Sequence, residues 1–145
     1  MGTVSWAKED ITYLAKEGII STETENFRPG DSVSREEMIK MIVLGFDLYK
    51  EDANCSFTDV SEDRWSYKYV ASAVESGICN GISENLFGNN NSLTREDAAV
   101  LLYRLIGITE MQFEEVGEAA NFADDESFSD YSRESINKMK SYGII

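Results

Sequence analysis

The chain has 145 residues, 27 acidic and 13 basic, with no histidine, two cysteines, one proline and a formal charge of −14. This length and a hydrophobic content of 42% suit one domain with a real core. The charge excludes binding driven by nucleic-acid phosphates, which needs a basic footprint. The missing histidine excludes Ser-His-Asp and Cys-His nucleophile pairs, HExxH metal sites and a histidine general base.

The N-terminal Met1-Gly2-Thr3-Val4-Ser5 has neither a basic region nor an apolar run of the secretory type. Ala7, Ile11, Leu14 and Ala15 then recur at i, i+4, i+7 and i+8, one face of a first helix. Gly18 stands where a left-handed C-terminal cap belongs, with Ile19 as its apolar contact. A polar loop follows, Ser21–Asp31, with Phe27 expected to tuck inward as its anchor. Ser34-Arg35-Glu36-Glu37 is a capping box that opens a second helix, with Met38, Met41 and Ile42 as its buried stripe. The longest apolar stretches, Met41–Phe46 and Ala98–Tyr103, fall far short of the roughly 20 residues that cross a bilayer, so no membrane insertion is expected.

The same succession then repeats. Trp6 and Trp65, Gly18 and Gly77, and Ile19 and Ile78 are each 59 apart; Phe27 and Phe87, Arg35 and Arg95, and Glu36 and Glu96 are each 60 apart. Val70, Ala73 and Val74 lead into Gly77-Ile78, and Thr94-Arg95-Glu96-Asp97 opens another helix carrying Ala98, Leu101, Leu102 and Leu105. Tyr131, Gly143 and Ile144 lie 66 beyond Trp65, Gly77 and Ile78, with Ile136 and Met139 before the glycine. The spacing divides the chain into repeat one (about 3–50), repeat two (about 55–108), an acidic insert (about 109–120) and a partial repeat three (about 121–145). Each unit reads helix, loop, helix, and one such pair cannot bury its own face, so the units must pack on one another. The fold class is all-α. The stop after Gly143-Ile144-Ile145 reads as a cut within something longer. Cys55 and Cys79, 24 apart with no CxxC, read as small semi-buried residues, with a disulfide left open.

Phe57-Thr58-Asp59-Val60 before Trp65, then Gly77-Ile78-Cys79-Asn80-Gly81, Phe87 and Leu93-Thr94-Arg95-Glu96-Asp97 together resemble an S-layer homology domain. That family's repeats carry an FxDV start, a tryptophan, a Gly-Ile-Ile-x-Gly turn, an Fx-Pro loop and an Ile-Thr-Arg-Ala-Glu helix start. Repeat one shows Trp6, Gly18-Ile19-Ile20, Phe27-Arg28-Pro29 and Val33–Glu37, without the FxDV element. Repeat three shows Phe122-Ala123-Asp124 and Gly143-Ile144-Ile145. The resemblance implies a pseudo-threefold helical bundle, here with its last repeat incomplete. It also implies an extracellular protein held non-covalently to a secondary cell-wall polysaccharide of a Gram-positive bacterium, often one bearing ketal-linked pyruvate. The partners it implies are that polymer and the rest of a larger surface protein; it implies no cofactor and no catalysis.

The family pattern carried onto this chain selects Trp6, Arg35, Asp59, Trp65, Gly81, Arg95 and Asp124 as ligand-binding residues. A pyruvylated sugar presents a carboxylate, and Arg35 and Arg95 sit on first turns where arginine and helix dipole act on one anion together. Trp65 offers a flat face for a sugar ring and an indole donor. For each there is a purely structural alternative. Arg35 and Arg95 pair with Asp59 and Asp124 across repeats, Trp65 fills the core, the aspartates cap helices, and Gly81 serves a turn. Thr22 in place of the second turn glycine and Tyr131 in place of tryptophan put the grooves that use them in doubt, so the groove nearest Arg35, Asp59, Trp65, Gly81 and Arg95 is the most intact.

Three other classes compete. A carboxylate glycosidase has no distinctive acid pair to use. A calcium module could use Asp59-x-Ser61-x-Asp63, but Trp65 follows where an EF-hand loop needs its glycine and bidentate acid. A helical protein–protein module, calcium-dependent or not, is the alternative reading of the same helix pairs. The excess negative charge gathers between Arg104 and Arg133, where no basic residue stands, away from Arg35 and Arg95. Screening over about 8–10 Å lets those arginines act locally.

Overall fold

Amphipathic periods interrupted by glycine stops produce five α-helices among the described residues: α1 (Lys8–Lys16), α2 (Arg35–Gly45), α3 (Tyr67–Glu75), α4 (Arg95–Thr109) and α5 (Asp130–Ser141). A computed structural model describes residues 5–21, 26–116 and 122–145. Single 3₁₀ turns, Ser5–Ala7 and Asp125–Ser127, accompany the helices, and no strand forms among the described residues. The chain is all-α, as its periods require.

The helix ends follow the local code. Gly18, Gly77 and Gly143 adopt φ of 73°, 79° and 67°, a region an L side chain enters at a steric cost. In each case the next residue's N–H reaches back to close the last turn: Ile19 to Leu14, Ile78 to Ala73 and Ile144 to Met139, at 2.9–3.0 Å. Ser34 closes both halves of its capping box, accepting from the Glu37 N–H while its own N–H donates to the Glu37 carboxylate at 2.8 Å. Thr94 accepts from the Asp97 N–H at 3.1 Å, and Asp97, a methylene shorter than Glu37, leaves the return bond unmade.

Packing runs across the repeats. Among the described residues α2 lies against α3 and α4 against α5, whereas α1 contacts only the turn that precedes it. The main core joins Ile39, Ile42 and Val43 of α2, Tyr67, Val70 and Ala73 of α3, and Leu101 and Leu105 of α4 around Ile78, Cys79 and Phe87. A smaller core sets Ala99 of α4 against Ile136 and Met139 of α5. Of the expected stripes Ile42, Leu101 and Leu105 are buried, whereas Met38, Met41, Ala98 and Leu102 are only partly covered and Ile39, Val43 and Ala99 complete the buried faces. α1 buries no residue completely.

Phe87 is fully buried, as a loop anchor should be, but Phe27 is 49% exposed. The difference lies upstream. The Asp59 carboxylate holds the Phe87 loop by its backbone, and repeat one carries no FxD acid before Trp6 to do the same.

Candidate functional site

Arg35 occupies the first position of α2. The approach to that helix is tied to the approach to α4: Arg35 N–H donates to Asn91 O at 2.9 Å and Leu93 N–H to Val33 O at 3.0 Å. The segments entering the two helices are thus joined in antiparallel sense through Ser34 and Ser92. Arg35 reaches across to repeat two, where its Nη2 donates to Asn80 O at 2.8 Å and its guanidinium carbon lies 5.1 Å from the Phe87 ring centre. Its Nε is buried and finds no acceptor among the described residues. Arg95 is exposed with no hydrogen-bond or ion-pair partner there. Neither arginine pairs with Asp59 or Asp124.

Asp59 is committed to its own chain. Its carboxylate accepts from the N–H groups of Phe87 and Gly88 at 2.8 Å each and of Asn89 at 3.4 Å, while the Asn89 amide donates to Asp59 O at 2.6 Å. Burial pushes this carboxyl up, but the three backbone donors outweigh it and hold it below the usual range. Asp59 thus holds the Phe87 loop rather than capping a helix. Gly81 answers a demand from within the protein: a Cβ there would lie 2.4 Å from Leu86 O and Ser83 O and 2.5 Å from the Phe57 ring. Arg35, Asp59 and Gly81 converge on the turn and loop at Asn80 and Phe87.

Trp65 stands apart from that set. It is 50% exposed, so it does not fill the core, and Lys40 Nζ lies 5.9 Å from its ring centre. Its presentation depends on Glu36, which is 4% exposed and binds the residues on both sides of the tryptophan. Arg64 donates through Nε and Nη2 to the Glu36 carboxylate at 2.9 and 2.8 Å, and Ser66 donates to it at 2.5 Å. A charge-assisted fork of this kind fixes geometry as well as supplying energy.

The second junction repeats the device. Glu96 accepts from the Ser129 N–H, the Ser129 hydroxyl and the Ser132 hydroxyl at 2.9–3.2 Å. The Ser132 bond lowers its carboxyl below the ordinary value, against the opposing effect of burial, and the Ser129 donors lower it further. Tyr131, between those serines, donates to Asp97 at 3.0 Å. Its phenol is pushed up to about 12, first by burial and then by that acid. These clamp residues were not selected from sequence as functional. Their signal was there, because Glu36 and Glu96 share the 60-residue spacing and Ser66 and Ser132 the 66-residue one.

The remaining candidates are dispersed. Trp6 is 83% exposed, and Asp124 is exposed and caps nothing with its side chain. Thr22 lies outside the described residues, as does the end of the acidic insert from residue 117. Cys55 and Cys79 are free. Burial pushes the Cys79 thiol up to about 12 despite Arg35 and Arg104 nearby, so it behaves as a small apolar residue. Two open clefts, one at Asn54–Phe57 and one between the ends of α4 and α5, include neither Arg35 nor Trp65.

The chain matches the S-layer homology domain over residues 1–39 and 56–99. It is 30% identical over 141 residues to the surface-layer 125 kDa protein of Lysinibacillus sphaericus, covering 97% of this chain and 12% of that protein. It is 35% identical over 108 residues to an amylopullulanase of Thermoanaerobacterium thermosulfurigenes, covering 70% of this chain and 6% of that protein. An exoglucanase XynX of Acetivibrio thermocellus is 34% identical over 108 residues, covering 70% and 10%. The chain thus spans 12% or less of these relatives' lengths. The ordered motifs, the helical fold and a profile match over more than half of the residues establish that this chain belongs to the S-layer homology domain family.

Proposed function

We propose that this chain is a non-catalytic anchoring module that holds a larger surface protein to the bacterial cell wall by binding an acidic, pyruvylated wall polysaccharide. One observation carries the reading. In a chain of net charge −14, Arg35 and Arg95 occupy the same helical position and neither meets a carboxylate among the described residues. An arginine at a helix start opposes the dipole, which favours acids there, so its presence there without an acid partner fits a role toward an external anion. The dipole and the guanidinium then act on one carboxylate together. Family membership and the variety of the relatives support the same reading: the shared segment accompanies a surface-layer protein and polysaccharide-degrading proteins alike. In this reading the repeat boundaries near residues 50 and 109 separate units of one wall-binding domain, and Trp65, apart from Arg35, stacks on a sugar beyond the one that bears the anion.

The test is calorimetry of the 145-residue chain with purified secondary wall polysaccharide, intact and after acid removal of pyruvate. Arg35→Ala with Arg95→Ala should weaken binding to the intact polymer more than about tenfold, and pyruvate removal should weaken wild-type binding comparably. Unchanged affinity in the double variant sinks the carboxylate recognition.

A further inference from the structure

Three aromatic rings line the outer side of the α2–α3 junction. Trp65 and Tyr69 have ring centres 6.5 Å apart, tilted by 52°, and Tyr69 and Tyr49 have centres 5.5 Å apart, tilted by 55°. Lys40 Nζ lies 5.9 Å from the centres of both Trp65 and Tyr69 and forms no ion pair among the described residues. Trp65 and Tyr49 are exposed; Tyr69 is half-buried against the core, which gives the row a rigid centre.

Both ends of the row are held. The Glu36 clamp fixes the backbone on either side of Trp65. At the other end, the Lys50 N–H next to Tyr49 donates to Ser72 Oγ of α3 at 2.9 Å, and the Tyr49 hydroxyl donates to Glu51 at 3.0 Å. Rings already ordered in the free protein lose little entropy when a ligand stacks on them. The second junction carries no such row: Val100, Thr109 and Ser135 stand where Lys40, Tyr49 and Tyr69 stand in the first. The row is also distinct from Arg35. Lys40 lies five residues further along α2, about 7.5 Å along the axis and about 140° around it.

We propose that Trp65, Tyr69, Tyr49 and Lys40 form a second glycan subsite that stacks successive sugar rings and pairs Lys40 with an anionic substituent on one of them. The successive tilts suit a chain whose sugars turn relative to one another, and disfavour a flat ribbon. An aromatic face binds the C–H face of a sugar without regard to its charge, so the selectivity for an acidic residue comes from Lys40, a point charge that accepts an anion from several directions. The subsite rests on the wall-polysaccharide reading and extends its footprint beyond the anion at Arg35.

The experiment uses the 145-residue chain, whose two tryptophans are Trp6 and Trp65, with Trp65→Phe as the control that assigns a change in emission. The probes are the intact wall polysaccharide and, as control, a neutral β-1,4-glucan oligosaccharide, followed by calorimetry and tryptophan emission. Tyr49→Ala and Lys40→Gln each should weaken polysaccharide binding roughly threefold to tenfold, with unchanged melting. Lys40→Arg should restore most of the loss, the polymer should perturb Trp65 emission, and the neutral ribbon should do neither. Wild-type affinity in Tyr49→Ala and Lys40→Gln, with Arg35→Ala impaired, overturns the subsite and leaves the anchoring reading standing. The converse pattern supports the subsite and removes Arg35 from the reading. Equal binding of the neutral ribbon overturns the acidic selectivity, and no binding of the polysaccharide by the unsubstituted chain overturns both.

Discussion

The buried Glu36 carboxylate is met by the Arg64 fork and the Ser66 hydroxyl. Removing it leaves the half-buried guanidinium with only the Asn90 amide oxygen among the described residues and the buried Ser66 hydroxyl without its acceptor, so Glu36→Ala should cost about 2–4 kcal/mol in urea denaturation. Glu36→Gln keeps an acceptor oxygen and should cost clearly less. Gly81 and Gly107 form a second contrast. A Cβ at Gly81 meets two carbonyl oxygens and an aromatic edge at 2.4–2.5 Å, whereas at Gly107 it meets nothing within 4 Å. Gly81→Ala should therefore destabilise by about 1–3 kcal/mol or more. Gly107→Ala, inside α4, should stabilise by about 0.5–1 kcal/mol because alanine limits the unfolded chain. Chemical denaturation of the two variants side by side separates these signs.

Among the elements, α1 and α4 show how little a helix's own pattern says about its stake in the core. Leu14 and Leu105 both lie on apolar stripes, yet Leu105 is sealed in the main core and Leu14 is only half-buried on a helix that meets no other α-helix among the described residues. Leu105→Ala should cost about 2–5 kcal/mol, and Leu14→Ala less than about 1.5 kcal/mol, in thermal unfolding of this chain. The pairing of α2 with α3 and of α4 with α5 explains the contrast. The second helix of one repeat covers the first helix of the next, and α1 has no earlier helix among these residues to cover it.

The whole molecule is strongly acidic, and two of its carboxylates tie its stability to pH. Asp59 and Glu96 both have depressed folded values, each because donors outweigh burial. Their stabilisation is therefore fully present above the unfolded values of about 3.9 and 4.3, and it is lost as pH falls through the lower folded values. Stability should hold from neutrality to about pH 5 and decline below about pH 4. Asp59→Asn should remove part of that decline, because its loop no longer depends on an ionised acceptor. Urea midpoints measured between pH 3 and 7 check this; an identical pH profile for Asp59→Asn would show that Asp59 contributes nothing to it.

Local features were written plainly in the sequence. The helices, the glycine stops and the Ser34 box follow from short-range rules, because each depends on residues within a few positions of one another, and their recurrence at 59 to 60 residues shows by comparing the sequence with itself. The family followed from the order of those motifs. What short-range rules did not reach was the division of labour among long-range partners. Asp59 turned out to hold a loop 28–30 residues away, and Gly81 to make room for its own chain. Glu36 carries the clamp that presents Trp65, although its letter in the sequence says only that an acid suits a first helical turn. Tertiary structure made those assignments because a carboxylate takes whichever donors the packing brings to it, and spacing along the chain does not tell which donors those will be.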